Sequence, residues 1–457
     1  MKPAHARLPG PEAIERALER VLAAGAAAAD AVVVESDAVE ARVRGREIDF
    51  VKQARERGLG IRAFVSGGAG LSSAVTSTSD LSEAAVDRMA AETVALARAT
   101  APDPCAGLPA GGFAEDLPDL RLLEPTDRGL PVEARIERAR EAEAAARDSD
   151  PRITNSEGSE ASSEFSAIHF GNSLGMRASY ESAQHGLSCM PVARDASGMQ
   201  TDYWFTVGRR LADLEAPADV GREAARRALR RLGGRRVATA EVPVVFDAVC
   251  ARGLLGNLAA CLSGYAVYRQ ATFLAGRLGQ PIASARVTVI DDGRLPGGLG
   301  SKPFDGEGLP TRRNVLVDAG RLETWLLDSY SARKLGMAST GSASRGVGSA
   351  PGVGATNLWL EPGDASLDEI VADTRRGLLV TSLFGHGFNA VTGDFSRGAA
   401  GLWIEDGKPT HPVEEITIAG NLGQMLLDVD AVGSDLLWQG RVASPSLRVA
   451  RMTVAGE

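Results

Sequence analysis

Residues 377–421, GLLVTSLFGHGFNAVTGDFSRGAAGLWIEDGKPTHPVEEITIAGN, constrain the fold more than any other stretch. Apolar runs at 378–383, 402–405 and 416–419 flank segments rich in Gly, Asn, Thr, Asp and Ser, which reads as strand, polar loop, strand, strand. His386, Asn389, Thr392, Asp394 and Ser396 supply the loop with hydrogen-bonding groups, and Asn421 closes the stretch. Gly385, Gly387 and Gly393 permit positive φ or a close approach of another backbone. Two readings stand side by side: simple turns between strands, or a loop built to bind.

The chain has 457 residues, more than one ordinary core holds, so two domains are expected. Its net charge is −9, from 50 basic and 59 acidic residues spread without long runs. That balance argues against an electrostatic nucleic-acid binder. No stretch of about 18 uncharged apolar residues occurs, and residues 1–21 lack a continuous apolar core, so neither a membrane span nor a signal peptide is expected. Cys105, Cys189, Cys250 and Cys261 lie far apart with no CxxC pair. Neither a disulfide framework nor a thiolate zinc site follows, and a cytoplasmic protein is expected.

Read in order, residues 11–28 carry Ile14, Leu18, Val21 and Leu22 at helical spacing, ending near Gly25. Alternating patterns at 30–40, 47–53 and 58–66 predict strands of an antiparallel meander, and 81–99 predicts a helix. Prolines crowd 100–131 and exclude a regular element there. Residues 132–147 are strong helix formers. Strands then run through 153–207, turning at 172–175 and 195–198, before a basic helix over 220–232. The domain boundary is placed near Gly234, giving an N-terminal α+β domain, 1–234, of helices on an antiparallel sheet. A mainly antiparallel β domain with a broken helix, 235–457, follows. Within it we expect a strand at 242–246, a glycine-interrupted helix from 248 to about 278, and strands at 285–290 and 314–318. Open glycine-rich loops are expected at 295–313 and 338–356.

The usual chemical motifs are missing. The five histidines, His5, His169, His185, His386 and His411, are never three to five residues apart, so no helical metal pair exists. His386 could meet His411 across strands, with Asp394 or Glu405 beside them. Lys302 follows a glycine run without forming GxxxxGK[ST], and neither a dinucleotide fingerprint nor a GxSxG elbow occurs. Cys261 reads as a small core residue.

Several segments together resemble the TldD/TldE (PmbA) family: GLGIRAF from Gly58, FDGEG from Phe304, YSARKLG from Tyr330, STG from Ser339, and residues 377–407, 412–422 and 443–456. The resemblance covers nearly the whole chain. It implies a bacterial metallopeptidase complex, once described as a modulator of DNA gyrase, that acts on unfolded or extended peptides. In the TldD branch HExxxH on a helix and a later cysteine bind the catalytic metal. Placed by the following GRLGQPIAS, those motif positions fall here at Leu255, Gly256 and Ala260, and no cysteine follows Cys261. Such side chains offer no metal ligand and no general base.

The resemblance therefore implies a noncatalytic TldE-like subunit with no cofactor of its own. Its partner would be a TldD-type metallopeptidase subunit carrying a zinc-type metal, and isolated chains could pair as a homodimer. Gly385, His386, Asn389, Asp394, Ser396 and Asn421 become candidates for binding extended peptide or partner. The alternatives are a regulatory protein that binds DNA gyrase, and an independent hydrolase using His386 and Asp394.

Overall fold

The computed structural model describes residues 8–456; His5 lies outside them. Helix α1 (Gly10–Ala23) buries Ile14, Leu18 and Val21 and stops before Gly25, whose φ of +97° no other residue adopts easily. Strands β1 (Ala28–Arg44), β2 (Glu47–Gly67) and β3 (Gly70–Thr78) pair antiparallel, and α2 (Glu83–Ala99) joins α1 against them. The two short strands expected at 47–53 and 58–66 are one continuous strand. The charged Arg55-Glu56-Arg57 link stays extended because Arg55 lies opposite Asp37 and Arg57 opposite Glu35, giving cross-strand pairs of opposite charge.

After the proline-rich segment, which holds one 3-10 turn at Pro125–Gly129, α3 (Val132–Asp148) leads to a second run of strands. These are β4 (Ile153–Asn172), β5 (Arg177–Asp195), β6 (Gly198–Thr201) and β7 (Trp204–Gly208), closed by α4 (Pro217–Leu229). One seven-stranded sheet results, in the order β3-β2-β1-β4-β5-β6, with β7 also on β5. Neighbouring residues of β1 point to opposite faces. Ala31 and Val33 pack under α1 and α2, while Val32 and Val34 join Phe170 and Phe304. The second face of the sheet thus receives the C-terminal half.

That half begins with β8 (Ala240–Phe246), α5 (Ala248–Cys261) and α6 (Gly264–Tyr268). Strands β9 (Val289–Asp292) and β10 (Arg313–Asp318), helix α7 (Ser329–Leu335), strand β11 (Leu358–Leu360) and helix α8 (Leu367–Ala372) follow. Next come β12 (Arg376–Phe384), β13 (Asp394–Glu405), β14 (Lys408–Asn421), α9 (Leu422–Leu427), β15 (Val429–Val432) and β16 (Leu447–Ala455). The sheet order is β14-β13-β12-β8-β16-β15, and β14 also pairs with β16. Five strands therefore close into a barrel, which removes their free edges. Val244, Phe246, Leu378, Val380, Ile418, Val449 and Met452 belong to its core.

Three expectations for this half need correction. The helix expected to reach about 278 is broken after Cys261, resumes at Gly264, where a Cβ would sit 2.5 Å from Ser331 Oγ, and ends at Tyr268, with Gln270 turned to a φ of +55° two residues on. The strand expected at 285–290 runs Val289–Asp292, its Asp291 carboxylate accepting the Thr356 N–H at 2.6 Å. The glycine-rich loop at 338–356 is not open: it lies against the N-terminal sheet and buries Arg345 there.

Candidate functional site

Three regions bear on the chemistry expected of the chain. The first is the seam between its halves. Asp30 on β1, fully buried, is paired with Arg345 from the glycine-rich loop and accepts from Arg62 Nε on β2 at 2.9 Å. Burial alone would raise the Asp30 carboxyl, yet Arg345 and Arg62 hold it below the usual range. Glu307, in the FDGEG segment, accepts the Ser329 N–H at 2.8 Å and lies 3.8 Å from Arg62. Its burial outweighs Arg62 and pushes it up to about 7. These groups are packed between sheet and loop, so they hold the two halves together.

The second region is the loop from 385 to 396. Gly385 and Gly393 adopt φ of +71° and +81°, and a Cβ on Gly387 would meet the Ser396 carbonyl oxygen at 1.6 Å. The glycines are thus required by the fold of the loop. Asn421 donates to the Thr392 carbonyl at 2.8 Å and to Asp394 at 3.3 Å, while Thr392 Oγ1 donates to Asp394 at 2.7 Å. These two bonds keep the Asp394 carboxyl below its ordinary value. Asn389 turns its side chain back to the Val391 N–H at 2.9 Å. His386, Asn389, Asp394 and Ser396 are exposed. Neither side-chain bond of Asp394 goes to His386, so the loop is a self-bonded projection in which the proposed pair is not assembled.

The third region is α5, which Asp247 caps by accepting the Cys250 N–H at 2.8 Å. Leu255 points into the core beside Leu254 and Leu258, Gly256 has open space where a Cβ would stand, and Ala260 is exposed. Among the described residues no three His, Cys, Asp or Glu are grouped to hold a metal ion. The residues at 255, 256 and 260 do not fit one.

Family profiles match three consecutive segments: PmbA/TldA metallopeptidase domain 1 over residues 29–97, its central domain over 125–232, and its C-terminal domain over 239–456. The metalloprotease PmbA of Escherichia coli O157:H7 is 39% identical over 449 residues, covering 98% of this chain and 96% of that protein. The chain belongs to the PmbA/TldD family. A suggested modulator of DNA gyrase from Bacteroides thetaiotaomicron has the same fold, with a TM-score of 0.89 at 28% identity over 98% of both chains. TldE from Thermococcus kodakarensis matches with a TM-score of 0.85 at 24% identity, covering 97% of this chain and 100% of that one.

Within this PmbA/TldD fold the sequence reading missed a cavity of about 410 Å³ at the root of the loop. Arg227 on α4, Arg231 just after it, Arg252 on α5 and Arg397 on β13 line it, against the single carboxylate of Asp202. Arg227 bridges the halves, donating to the Thr381 carbonyl at 3.0 Å and lying 3.6 Å from both Asp202 and Asp247. Nearby Arg230 is pushed down to about 10, first by burial and then by Arg227. The RRALRRLGG run, read as a basic helix, was the available signal; that β13 brings Arg397 to it was not visible in sequence. No helix among the described residues is long and apolar enough to cross a membrane.

Proposed function

We propose that this chain is the noncatalytic, TldE-type subunit of a two-chain peptidase whose TldD-type partner carries the metal and cuts extended peptides. The observation behind this reading is the set of residues on α5: leucine, glycine and alanine where the resemblance requires histidine, glutamate and histidine. A water molecule cannot be activated by such side chains. The rest of the family pattern is kept and serves to dock the halves and shape the surface. Gly385, His386, Asn389, Asp394 and Ser396 lie on an exposed loop, tied down by the half-buried Asn421, that is suited to meet the partner or the peptide. A trough of about 860 Å³ on the N-terminal sheet, bordered by Asp37, Arg55 and Phe165, offers room for extended chain.

Co-purification with a TldD-type chain, followed by cleavage assays on an unfolded peptide, tests this. Expected are a stable complex, cleavage by the complex, and none by the lone chain. Cleavage by the lone chain at the rate of the complex overturns the reading. Capture of gyrase subunits in place of a peptidase partner would support the regulatory alternative.

A further inference from the structure

We propose that the arginine-lined cavity between α4, α5, β12 and β13 binds the C-terminal carboxylate of a peptide. Its arginines have unused donors. Arg397 Nε is shielded from water yet has no hydrogen-bond partner among the described residues, and the same holds for Arg231 Nε and Arg227 Nε. Arg227 is 5% exposed, and its Nε stands 3.6 Å from Asp202, beyond hydrogen-bond length. These Nε atoms are closed to water and so to a carboxylate oxygen of similar size; a bound oxyanion would instead be met by the guanidinium Nη groups of the lining arginines.

The other arginines are fixed in ways that leave a free edge. Arg231 donates one Nη to the Thr201 carbonyl at 2.9 Å and stacks on Phe384 at 5.6 Å. Arg252 donates to the Gln439 carbonyl at 3.0 Å and lies over Phe205 at 5.6 Å. Each guanidinium is therefore held in place while presenting further N–H groups, the pre-organised fork that suits a carboxylate. Only Asp202 among the lining residues opposes this charge.

The rim decides the carrier. Met190, Tyr203 and Phe384 are exposed apolar groups at the cavity mouth. They suit the side chains flanking a peptide carboxylate, whereas a hydrated inorganic ion would gain nothing from them. The choice of peptide as carrier rests on the function proposed above; the oxyanion site itself does not.

The test uses the full chain and a fluorescein-labelled Gly/Ala/Ser decapeptide with Phe at its last position, as free acid and as C-terminal amide, followed by anisotropy. Charge-assisted hydrogen bonds lead us to expect the acid to bind on the order of tenfold tighter than the amide. Arg397→Gln, and independently Arg231→Gln, should abolish that preference, with circular dichroism melts showing that each variant is folded. Equal binding of acid and amide, or no binding of either, overturns the proposal. Displacement of the acid by equimolar inorganic phosphate overturns the peptide carrier. Any of these results leaves the complex and its cleavage activity to be judged separately, so the two readings can fail independently.

Discussion

Val347 crosses the N-terminal sheet directly over Gly60: a Cβ at Gly60 would sit 1.9 Å from the Val347 carbonyl oxygen. No rotamer relieves a clash with backbone, so the loop at 338–356 must lift or the strand must bend. Gly60→Ala is expected to cost about 1–3 kcal/mol. It should also expose the loop to protease. Urea unfolding with limited proteolysis checks both, and an unchanged midpoint with a protected loop would contradict the docking described.

Asp30 is the anion on which that docking depends. With Asp30→Asn, the Arg345 and Arg62 guanidiniums stay buried without the carboxylate that pairs them, for a loss of about 3–5 kcal/mol. Arg345 is buried and two of its nitrogens have no hydrogen-bond partner among the described residues even now, so little is available to replace Asp30. Equilibrium denaturation at pH 7 reads the loss directly.

This seam also marks where the sequence stopped being legible. Alternation of apolar residues located β1, β4 and β5 and their turns, because one face of that sheet is covered by helices. The same alternation could not show that Val32 and Val34 face Phe304, since a half-buried face and a face awaiting a partner look alike. Glycine content made 338–356 look open, when Gly58 and Gly60 on β2 are what let the loop close down. In the candidate site the polar loop was visible as composition. The cluster of Arg227, Arg252 and Arg397 was not, because three separate elements contribute it.

Glu307 makes the seam sensitive to pH. Its ordinary value is 4.5, and burial, opposed by Arg62, raises it to about 7 in the folded chain. Below 4.5 both states hold the proton. Between 4.5 and about 7 the folded state keeps a proton the unfolded chain has lost, so stability falls as pH rises, and above 7 the penalty is constant. Glu307→Gln keeps an acceptor for the Ser329 N–H and removes this titration. The decline in melting temperature from pH 5 to 8 should therefore be shallower in the variant; parallel profiles would refute the assignment.

Asn421 ties the exposed loop to the barrel. It donates to the Thr392 carbonyl and, as the N-cap of α9, accepts the Gly423 N–H at 3.1 Å. Asn421→Ala should cost about 0.5–2 kcal/mol, the usual range for a lost cap. Exposed His386→Ala should stay within about 0.5 kcal/mol of the parent. Thermal melts of the two variants check the contrast. Amide exchange at 389–396 should quicken only in the first, because only Asn421 bonds to the turn.

Restoring the three absent groups on α5 should not make this chain a metal protein. Leu255 is buried against Leu254 and Leu258, so Leu255→His places a polar ring in apolar surroundings at a cost of about 2–5 kcal/mol. Ala260→His would project from an exposed position on another side of the helix, and Gly256→Glu would enter open space. No cysteine follows Cys261, whose own thiol is pushed up to about 11 by burial and so resists becoming a thiolate ligand. We expect the triple variant to be less stable than the parent and to retain no stoichiometric zinc after dialysis. Elemental analysis measures the metal. One tightly held zinc per chain would mean that α5 can turn all three positions toward a common point, contrary to the packing of Leu255.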